Sequence, residues 1–215
     1  MAESPSRGLA DVVAASTALS DIDGRAGRLF YRGYDISQLA GSATFEEIAY
    51  LLQRGAPRVA AVDVAYGQID VRLREDPRVT VIERLNGREL LPSDLPFAPS
   101  LATIDVSFIS LAKILPAVAG CLAPGGEALA MVKPQFELGR RRVGRGVVRD
   151  TADRREAIQA VALSAAENGL PVRGVASSGL PGPKGNRETF LWCGGEGPPV
   201  ADLAAAIHAA VEVDK

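Results

Sequence analysis

Two charged side chains stand where short apolar segments of this chain end. Asp105 lies in "TIDVSFIS" and Lys133 in "AMVKPQFE", each at the end of an apolar, β-rich run. Parallel strands bring their carboxyl ends to one edge of a sheet, where ligands of such sheets bind. A lysine beside a carboxylate in a cleft can orient or deprotonate a hydroxyl, so the pair predicts acid/base or positioning chemistry. The alternative is a surface salt bridge of little energetic weight.

Asp63 ends another apolar run, "RVAAVDV" at 58–64. A carboxylate at this place commonly accepts hydrogen bonds from the ribose hydroxyls of a nucleoside cofactor. It can equally cap the helix that follows, and the spacing does not separate the two interpretations.

A basic segment, "ELGRRRVGRGVVRD" at 137–150, contains Arg140, Arg141, Arg142, Arg145 and Arg149 among glycines. A flexible loop of this kind beside a ligand edge can contact the phosphates of a nucleic acid. A solvated run of charge is the default alternative, because no aromatic residues are interleaved with the arginines.

Other kinds of chemistry find little support. Cys121 and Cys193 are far apart and lack metal-ligand spacing, and His208 is the only histidine. Ser107, Ser110 and Ser177 have no nucleophile-elbow context. We therefore expect no metal site, disulfide framework or hydrolase, and take His208 as structural.

The elements that must position these residues alternate along the chain after residue 58. The apolar runs 58–64, 79–84, 101–108, 127–133, 171–177 and 188–193 alternate with helical patterns at 109–126 and 151–169. This rhythm predicts an α/β fold with a parallel sheet covered by helices, and a terminal helix over 200–213. The first 43 residues instead suggest a β-hairpin around Asp23-Gly24 and a short helix, so the composition changes near residue 44.

Composition limits the class of protein. The 215 residues are 47% hydrophobic, with a formal charge of −2 and a pI near 5.6. This length and hydrophobic content fit one large domain, or one and a half, with a proper core. The start lacks a secretory pattern, and no apolar run reaches the length of a membrane span. We expect a soluble cytoplasmic protein.

From about Leu51 to about Trp192 the chain resembles the haemolysin-A-type (TlyA) ribosomal RNA ribose methyltransferases, relatives of FtsJ. The motifs that carry the resemblance are "LLQRGAPRVAAVDVAYGQ", "PSDLP", "TIDVSFISL", "LAPGGEALAMVKPQFE", "VGRGVVRD" and "GPKGNRETFLW". It implies a Rossmann-like methyltransferase domain over 51–199 followed by a C-terminal helix over 200–215. It also implies S-adenosylmethionine as cofactor, ribosomal RNA or a ribosomal subunit as partner, and methyl transfer to a ribose 2′-hydroxyl.

The resemblance also implies roles for particular residues. Asp105, Lys133 and Glu188 match the last three positions of the family's Lys-Asp-Lys-Glu catalytic set. Asp63 and Asp94 match the residues that bind the cofactor's ribose and approach its adenine, and Asp105 is counted with these cofactor-binding residues. The basic segment remains the expected RNA contact.

The N-terminal part departs from that family. Its RNA-binding S4 module, its first catalytic lysine and its glycine-rich cofactor loop are not recognisable. Residues 8–52 instead resemble the N-terminal segment of citrate synthases, without that family's catalytic residues. We expect a fusion over about 1–50, a sheet incomplete at its first strand unless "DVVAA" (11–15) fills the slot, and impaired activity. The alternatives are a non-catalytic remnant or binding module, and a self-associating citrate-synthase-like segment.

Overall fold

The computed structural model describes residues 20–23, 28–31, 34–35, 58–143, 146–182 and 184–213; it does not describe the side chains of the first three of these ranges or of residues 140, 141 and 180. Strands β1 (Ser20–Asp23) and β2 (Arg28–Tyr31) pair antiparallel, and β3 (Tyr34–Asp35) pairs antiparallel with β2. The hairpin predicted around residues 23 and 24 is therefore confirmed. The predicted short helix, the helix expected near residue 44 and the segment 11–15 lie outside the described residues.

Strand β4 (Val59–Asp63), helix α1 (Val71–Arg74) and strand β5 (Val79–Glu83) follow, and the two strands pair. The Val59 N–H donates to the Arg78 carbonyl at 2.9 Å, and the Leu85 N–H donates to the Asp63 carbonyl at 3.2 Å. Because the partners rise together along both strands, the pair is parallel, as the rhythm predicted.

The chain divides into two compact units, of which one comprises residues 1–61 and 69–81 and the other 62–68 and 82–215. All of the candidate site residues belong to the second unit. The predicted boundary near residue 50 stays a prediction.

The second unit contains a four-stranded sheet in the order β6 (Leu101–Ile104), β7 (Glu127–Val132), β9 (Arg187–Gly194), β8 (Val172–Pro181). Strands β6 and β7 are parallel, whereas β9 runs antiparallel to both of its neighbours. The prediction of a parallel sheet is thus wrong for β9, whereas β8 runs in the same direction as β6 and β7. Strands β8 and β9 are joined by a short turn, and a parallel connection would need a crossover of a dozen or more residues.

The helices of this unit pack against the sheet and against one another. They are α2 (Leu115–Cys121), α3 (Pro134–Glu137), α4 (Arg140–Val143), α5 (Thr151–Glu167) and α6 (Leu203–Glu212), with 3-10 turns at Gly87–Glu89, Pro92–Asp94 and Leu111–Lys113. The cap of α5 is Asp150, whose Oδ1 accepts from the Ala152 N–H at 2.7 Å, so the helix begins at the first residue of the predicted pattern.

The core lies between the sheet and these helices. Leu115, Ile158 and Leu191 are fully buried there, and each stabilises the fold by about 1.5–3 kcal/mol relative to an exposed side chain. Among the described strands, none pairs with β6 on the side away from β7. No helix in the described part of the chain is long and apolar enough to span a membrane.

Candidate active site

Asp105 and Lys133 meet at the carboxyl edge of the four-stranded sheet. Each residue directly follows its strand, β6 or β7, and because these strands are parallel and adjacent, their ends lie side by side. The Lys133 ammonium forms an ion pair with Asp105 Oδ1 and lies 3.4 Å from the Ser107 hydroxyl oxygen. The two side chains are only 13% and 19% exposed, so this is a partly buried pair and not a solvated surface salt bridge.

Glu188 joins this pair from the opposite direction of the chain. It is the second residue of β9, and the next residue, Thr189, lies opposite Val132 at the end of β7. Burial raises the pKa of Glu188; Lys133 opposes this shift and Asp105 adds to it, while the Gln135 amide also stabilises the carboxylate by hydrogen bonding. The three residues matched by motif are therefore electrostatically coupled in the structure.

Gly182 leaves room for the Glu188 carboxylate. A Cβ on Gly182 would lie 2.8 Å from Glu188 Oε1 and 3.4 Å from its carboxyl carbon. Real Cβ atoms essentially never come closer than 3.0 Å to another heavy atom, so an alanine here would force the carboxylate to move. The glycine in the turn before β9 thus permits the observed position of Glu188.

Among the described residues, two buried polar atoms without hydrogen bonds lie at this edge, those of Asp105 and Gln135. Within the described residues, the buried side-chain atoms that lack a hydrogen-bond partner include Gln135 Oε1, Thr189 Oγ1 and Asp105 Oδ1. Asp105 Oδ1 does face the Lys133 ammonium, but as an ion pair without normal hydrogen-bond geometry. Such atoms are rare in native structures and call for an explanation. Gln135 Oε1 and Asp105 Oδ1 lie beside Glu188 and Lys133, where a polar ligand would meet them. Thr189 alternates with Glu188 along β9 and therefore lies on the opposite, buried face of the sheet.

Phe108 stands out at the same place. Its side chain is 91% exposed, its φ is +63°, and its ring lies 5.1 Å from that of Phe136. A bulky residue with positive φ is unusual and costs about 1–3 kcal/mol, which the surrounding structure must offset. The loop after β6 thus presents an aromatic ring to solvent three residues after Asp105.

Asn186 fixes the chain on the far side of the arginine-rich segment. Its Oδ1 accepts from the Val148 N–H at 2.9 Å, and its Nδ2 donates to the Gly146 carbonyl at 2.8 Å. The side chain is 2% exposed. This buried amide holds residues 146–148 against the turn that leads into Glu188.

The two carboxylates expected to bind a nucleoside both serve as local caps. Asp63 Oδ1 accepts from the Ala65 N–H at 2.7 Å, and Asp94 Oδ2 accepts from the Leu91 N–H at 2.8 Å. Asp63 does not cap the helix that follows it, because Asp70 does so. Each cap uses one carboxylate oxygen and leaves the second for another donor.

The arginines of the basic segment are only partly described. Arg142 contacts Asp153 and Glu156 of helix α5, with its Nη2 2.9 Å from Glu156 Oε2. The side chains of Arg140 and Arg141, and the whole of Arg145, lie outside the described residues. Two carboxylates therefore already share the charge of Arg142.

His208, Cys121 and Cys193, for which the sequence predicted no catalytic or metal-binding role, make contacts that fit a structural role. His208 Nδ1 lies 3.3 Å from an Arg155 guanidinium nitrogen on the neighbouring helix α5. Cys121 and Cys193 are buried, and burial raises the pKa of Cys193 to about 12, so its thiol is a poor nucleophile. Among the described residues, no group of three or more histidine, cysteine or acidic side chains could hold a metal ion.

Comparison with known proteins places the chain in a family. The model of the FtsJ-like methyltransferases matches residues 40–195, which is most of the chain. The chain belongs to the FtsJ-like methyltransferase family. The mixed α/β sheet with its carboxyl-edge cluster is therefore a methyltransferase fold, as the motifs predicted.

Two matches show how far this membership extends. The 16S/23S rRNA (cytidine-2′-O)-methyltransferase TlyA of Mycobacterium tuberculosis is 48% identical over 154 residues, covering 71% of this chain and 58% of that protein. A solved structure of a Lactococcus lactis protein named after hemolysin is 36% identical with a TM-score of 0.72, covering 79% of this chain and 81% of that chain. The present chain spans little more than half the length of the curated relatives it matches.

A shorter match lies in a different family. The citrate synthase of Haloferax volcanii is 56% identical over 50 residues, which is 23% of this chain and 13% of that protein. A segment this short shows similarity only and does not extend the family membership established above.

Several residues of the site were missed by sequence reasoning. Gln135 and Phe136 lie two and three residues after Lys133, and Ser107 and Phe108 lie two and three residues after Asp105, so nearness to a candidate was the available signal. Glu137 and Asn186 act across 26 to 40 residues of chain, and no local spacing indicates such contacts.

Proposed function

We propose that this chain transfers a methyl group from S-adenosylmethionine to a ribose 2′-hydroxyl of ribosomal RNA, in the cytoplasm. The observation that carries the proposal is the Lys133 ammonium, held by Asp105 beside Ser107 and coupled to Glu188 at the carboxyl edge of the sheet. Family membership supplies the class of reaction. The activity for which the Mycobacterium tuberculosis relative is named supplies the RNA ribose as the substrate we favour.

The described residues suit part of the cofactor. Asp63 and Asp94 end their strand and turn with one carboxylate oxygen each engaged by a backbone N–H. The second oxygens are acceptors of the kind that ribose hydroxyls and an adenine amino group require. We assign Asp63 to the ribose, Asp94 to the adenine and Asp105 to the methyl-donor side, where it also holds Lys133.

The methionine end of the cofactor is a separate question. The glycine-rich loop that normally holds it is not recognisable in the sequence, and the segment 11–17 that faintly echoes it lies outside the described residues. We therefore propose that the affinity for the cofactor, and with it the activity, is lower than in the curated relatives.

The chemistry requires a proton to leave the ribose oxygen as that oxygen forms a bond to the methyl carbon. The cofactor supplies an electrophilic methyl on a sulfonium, whose carbon–sulfur bond breaks. A charged lysine has three donors and no acceptor, so Lys133 as ammonium aligns the hydroxyl oxygen, and as a neutral amine it removes the proton. The Glu188 carboxylate, whose pKa burial raises, is an acceptor for that proton. Much of the rate enhancement would come from proximity and alignment.

The basic segment is proposed to contact RNA phosphates. Arg140, Arg141 and Arg145 are the expected contacts, and Arg142 contributes less because Asp153 and Glu156 already pair with it. Replacing one arginine that binds a phosphate should make the slope of log affinity against log salt shallower by about 1.

The N-terminal segment is proposed to share its origin with citrate synthases, so that the chain joins pieces of two families. In that case residues 36–52 are the candidates for self-association. Sedimentation of the full chain tests this, and a monomer at all concentrations would count against it. Binding of the cofactor would exclude the alternative of a remnant or binding module that retains the sheet but cannot hold the cofactor.

Two measurements on the full 215-residue chain test the proposed function. Calorimetry should detect binding of S-adenosylmethionine to the chain, and no binding at about millimolar cofactor would refute the proposed methyltransferase activity. Methyl transfer to ribosomal RNA, free or in subunits, should then yield nuclease-resistant 2′-O-methylated dinucleotides.

Lys133→Ala should lower the rate of methyl transfer at least about 100-fold, the usual range for a general acid–base group, and leave the fold intact. Lys113→Ala, at an exposed lysine of the turn before α2, is the matched control and should retain full activity. An active Lys133→Ala variant would refute the role assigned to that lysine.

A further inference from the structure

Glu137 links the two chain segments that carry Asp105 and Lys133. Its Oε2 accepts from the Ser110 hydroxyl at 2.6 Å, and its Oε1 accepts from the Leu111 N–H at 2.9 Å. These bonds span 27 and 26 residues of sequence. Both oxygens of one carboxylate are thus used to hold helix α3 against the start of the turn that leads into α2.

The connection closes a ring around the proposed reaction centre. Lys133 immediately precedes α3, and Glu137 is the last residue of that helix. Asp105 begins the loop that ends at Ser110. The Asp105–Lys133 ion pair closes this ring at one end, and Glu137 closes it at the other.

A second contact joins the same two segments. Phe108, in the loop, stacks at a tilt on Phe136, the residue before Glu137. Phe108 keeps a positive φ, which its own side chain does not favour. A loop in this conformation requires anchors on both sides, and Glu137 anchors the side nearer Ser110.

The Glu137 carboxylate is costly to place at this position. Burial raises its pKa, although the Leu111 N–H and Ser110 hydroxyl bonds oppose the shift. The turn at residues 111–113 already has a local cap, because the Ser110 hydroxyl oxygen accepts from the Ala112 N–H. The Glu137 carboxylate is therefore not needed for the turn to form. Its bonds instead connect helix α3 to that turn.

We infer that Glu137 is a positioning residue: it fixes the loop 105–110 so that Asp105 holds Lys133 in the orientation that the reaction requires. This inference rests on the proposed function for its catalytic consequence, but the geometric claim can be measured without any methyl transfer.

The test compares Glu137→Gln, Glu137→Leu and the control Glu167→Leu, at an exposed glutamate at the end of α5. Glutamine keeps the shape, still accepts from the Leu111 N–H and can donate to the Ser110 hydroxyl oxygen, whereas leucine does neither. Hydrogen exchange reports the Leu111 amide. Acetylation by a small reagent, quantified by mass spectrometry, reports how well Asp105 holds Lys133.

In Glu137→Leu, hydrogen exchange at the Leu111 amide and acetylation of Lys133 should both be at least about fivefold faster than in wild type. The value of kcat should fall about 20-fold or more with little change in the KM for cofactor, as expected for misplaced catalytic groups. Glu137→Gln and Glu167→Leu should stay within about threefold of wild type in every readout, because neither removes the tie. Rescue by glutamine separates positioning from a need for charge.

Unchanged acetylation of Lys133 in a folded Glu137→Leu protein would overturn the inference. So would a loss of activity in Glu137→Gln as large as that in Glu137→Leu. If the leucine variant does not fold, Ser110→Ala decides: it removes the bond to Glu137 Oε2 together with the local cap on the Ala112 N–H, and it should raise the acetylation of Lys133. Unchanged acetylation in that variant would also overturn the inference. A wild-type chain that transfers no methyl group refutes the proposed function, while exchange and acetylation still decide the positioning role.

Discussion

Replacing Gly182 with alanine should displace the Glu188 carboxylate without unfolding the protein. The added Cβ would lie 2.8 Å from Glu188 Oε1, so the oxygen must retreat at least to the 3.0 Å limit and moves by 0.6 Å if it relaxes to ordinary contact at 3.4 Å. Other atoms leave enough room, because the Asn186 carbonyl oxygen is 3.6 Å away. Gly182 also has a φ outside the left-handed region, so alanine strains no backbone.

The cost of this displacement falls on catalysis. A misplacement of about 1 Å can lower a rate about 100-fold, so the retreat of Oε1 corresponds to roughly 10- to 20-fold in kcat, or about 1.5 kcal/mol in activation free energy. The free energy of unfolding should change by less than about 1 kcal/mol, because the clash involves the end of a flexible side chain and alanine reduces the entropy of the unfolded chain.

The assay is methyl transfer to ribosomal RNA under saturating cofactor, with thermal unfolding measured in parallel. Gly120→Ala is the matched control: it lies in helix α2 with nothing within 4 Å of the new Cβ, so it should keep full activity and stabilise the helix by about 0.5–1 kcal/mol.

A double variant makes this prediction sharper. If Gly182→Ala acts through Glu188, it should have no further effect on kcat in a Glu188→Ala background, because the two changes then share one mechanism. Full activity of Gly182→Ala would refute the reasoning. So would an additional loss in the Glu188→Ala background.

Three further predictions concern neighbouring residues. Burial raises the pKa of Glu188 in the folded state, so its contribution to stability is present below the ordinary glutamate pKa and is lost as the pH rises through the folded pKa. In urea unfolding, the stability of wild type relative to Glu188→Gln should therefore fall as the pH rises above about 4.5. Parallel stability profiles of the two proteins would contradict the pKa shift. Asn186→Leu should cost about 2 kcal/mol or more, because it leaves the Val148 N–H and the Gly146 carbonyl without their buried partner, and a loss under about 0.5 kcal/mol by denaturant unfolding would contradict this. Phe108→Ala should keep the free energy of unfolding within about 0.5 kcal/mol of wild type, since the ring is exposed, yet weaken RNA binding about 5- to 50-fold if a base stacks on it; equal RNA affinity in filter binding would exclude that stacking.

The sequence predicted the meeting of Asp105 and Lys133 for a sound physical reason. Both follow apolar runs, and the ends of adjacent parallel strands must lie at one edge. Glu188 was different, because its spacing carries no information and only the family motif singled it out. Its place depends on β9 running antiparallel, and an apolar run does not reveal the direction of its strand.

The turn between β8 and β9 did contain a usable signal. The predicted runs 171–177 and 188–193 leave only residues 178–187 between them, which is too few for a crossover helix, so the connection itself implies a hairpin. The ties made by Glu137 and Asn186 could not be found in this way. They depend on side chains that meet only after the sheet and its helices have packed.

The position of β9 between two strands that precede it in the chain has a consequence for the order in which the site is completed during synthesis. This strand is made after β6, β7 and β8, yet it lies between β7 and β8 in the sheet. During synthesis from the N-terminus, Asp105 and Lys133 emerge first, and the nascent chain lacks both a central strand and the Glu188 carboxylate until residues 187–194 have been added. The hairpin that completes the sheet also completes the site, so a nascent chain cannot assemble the full set of three residues before that sheet can close.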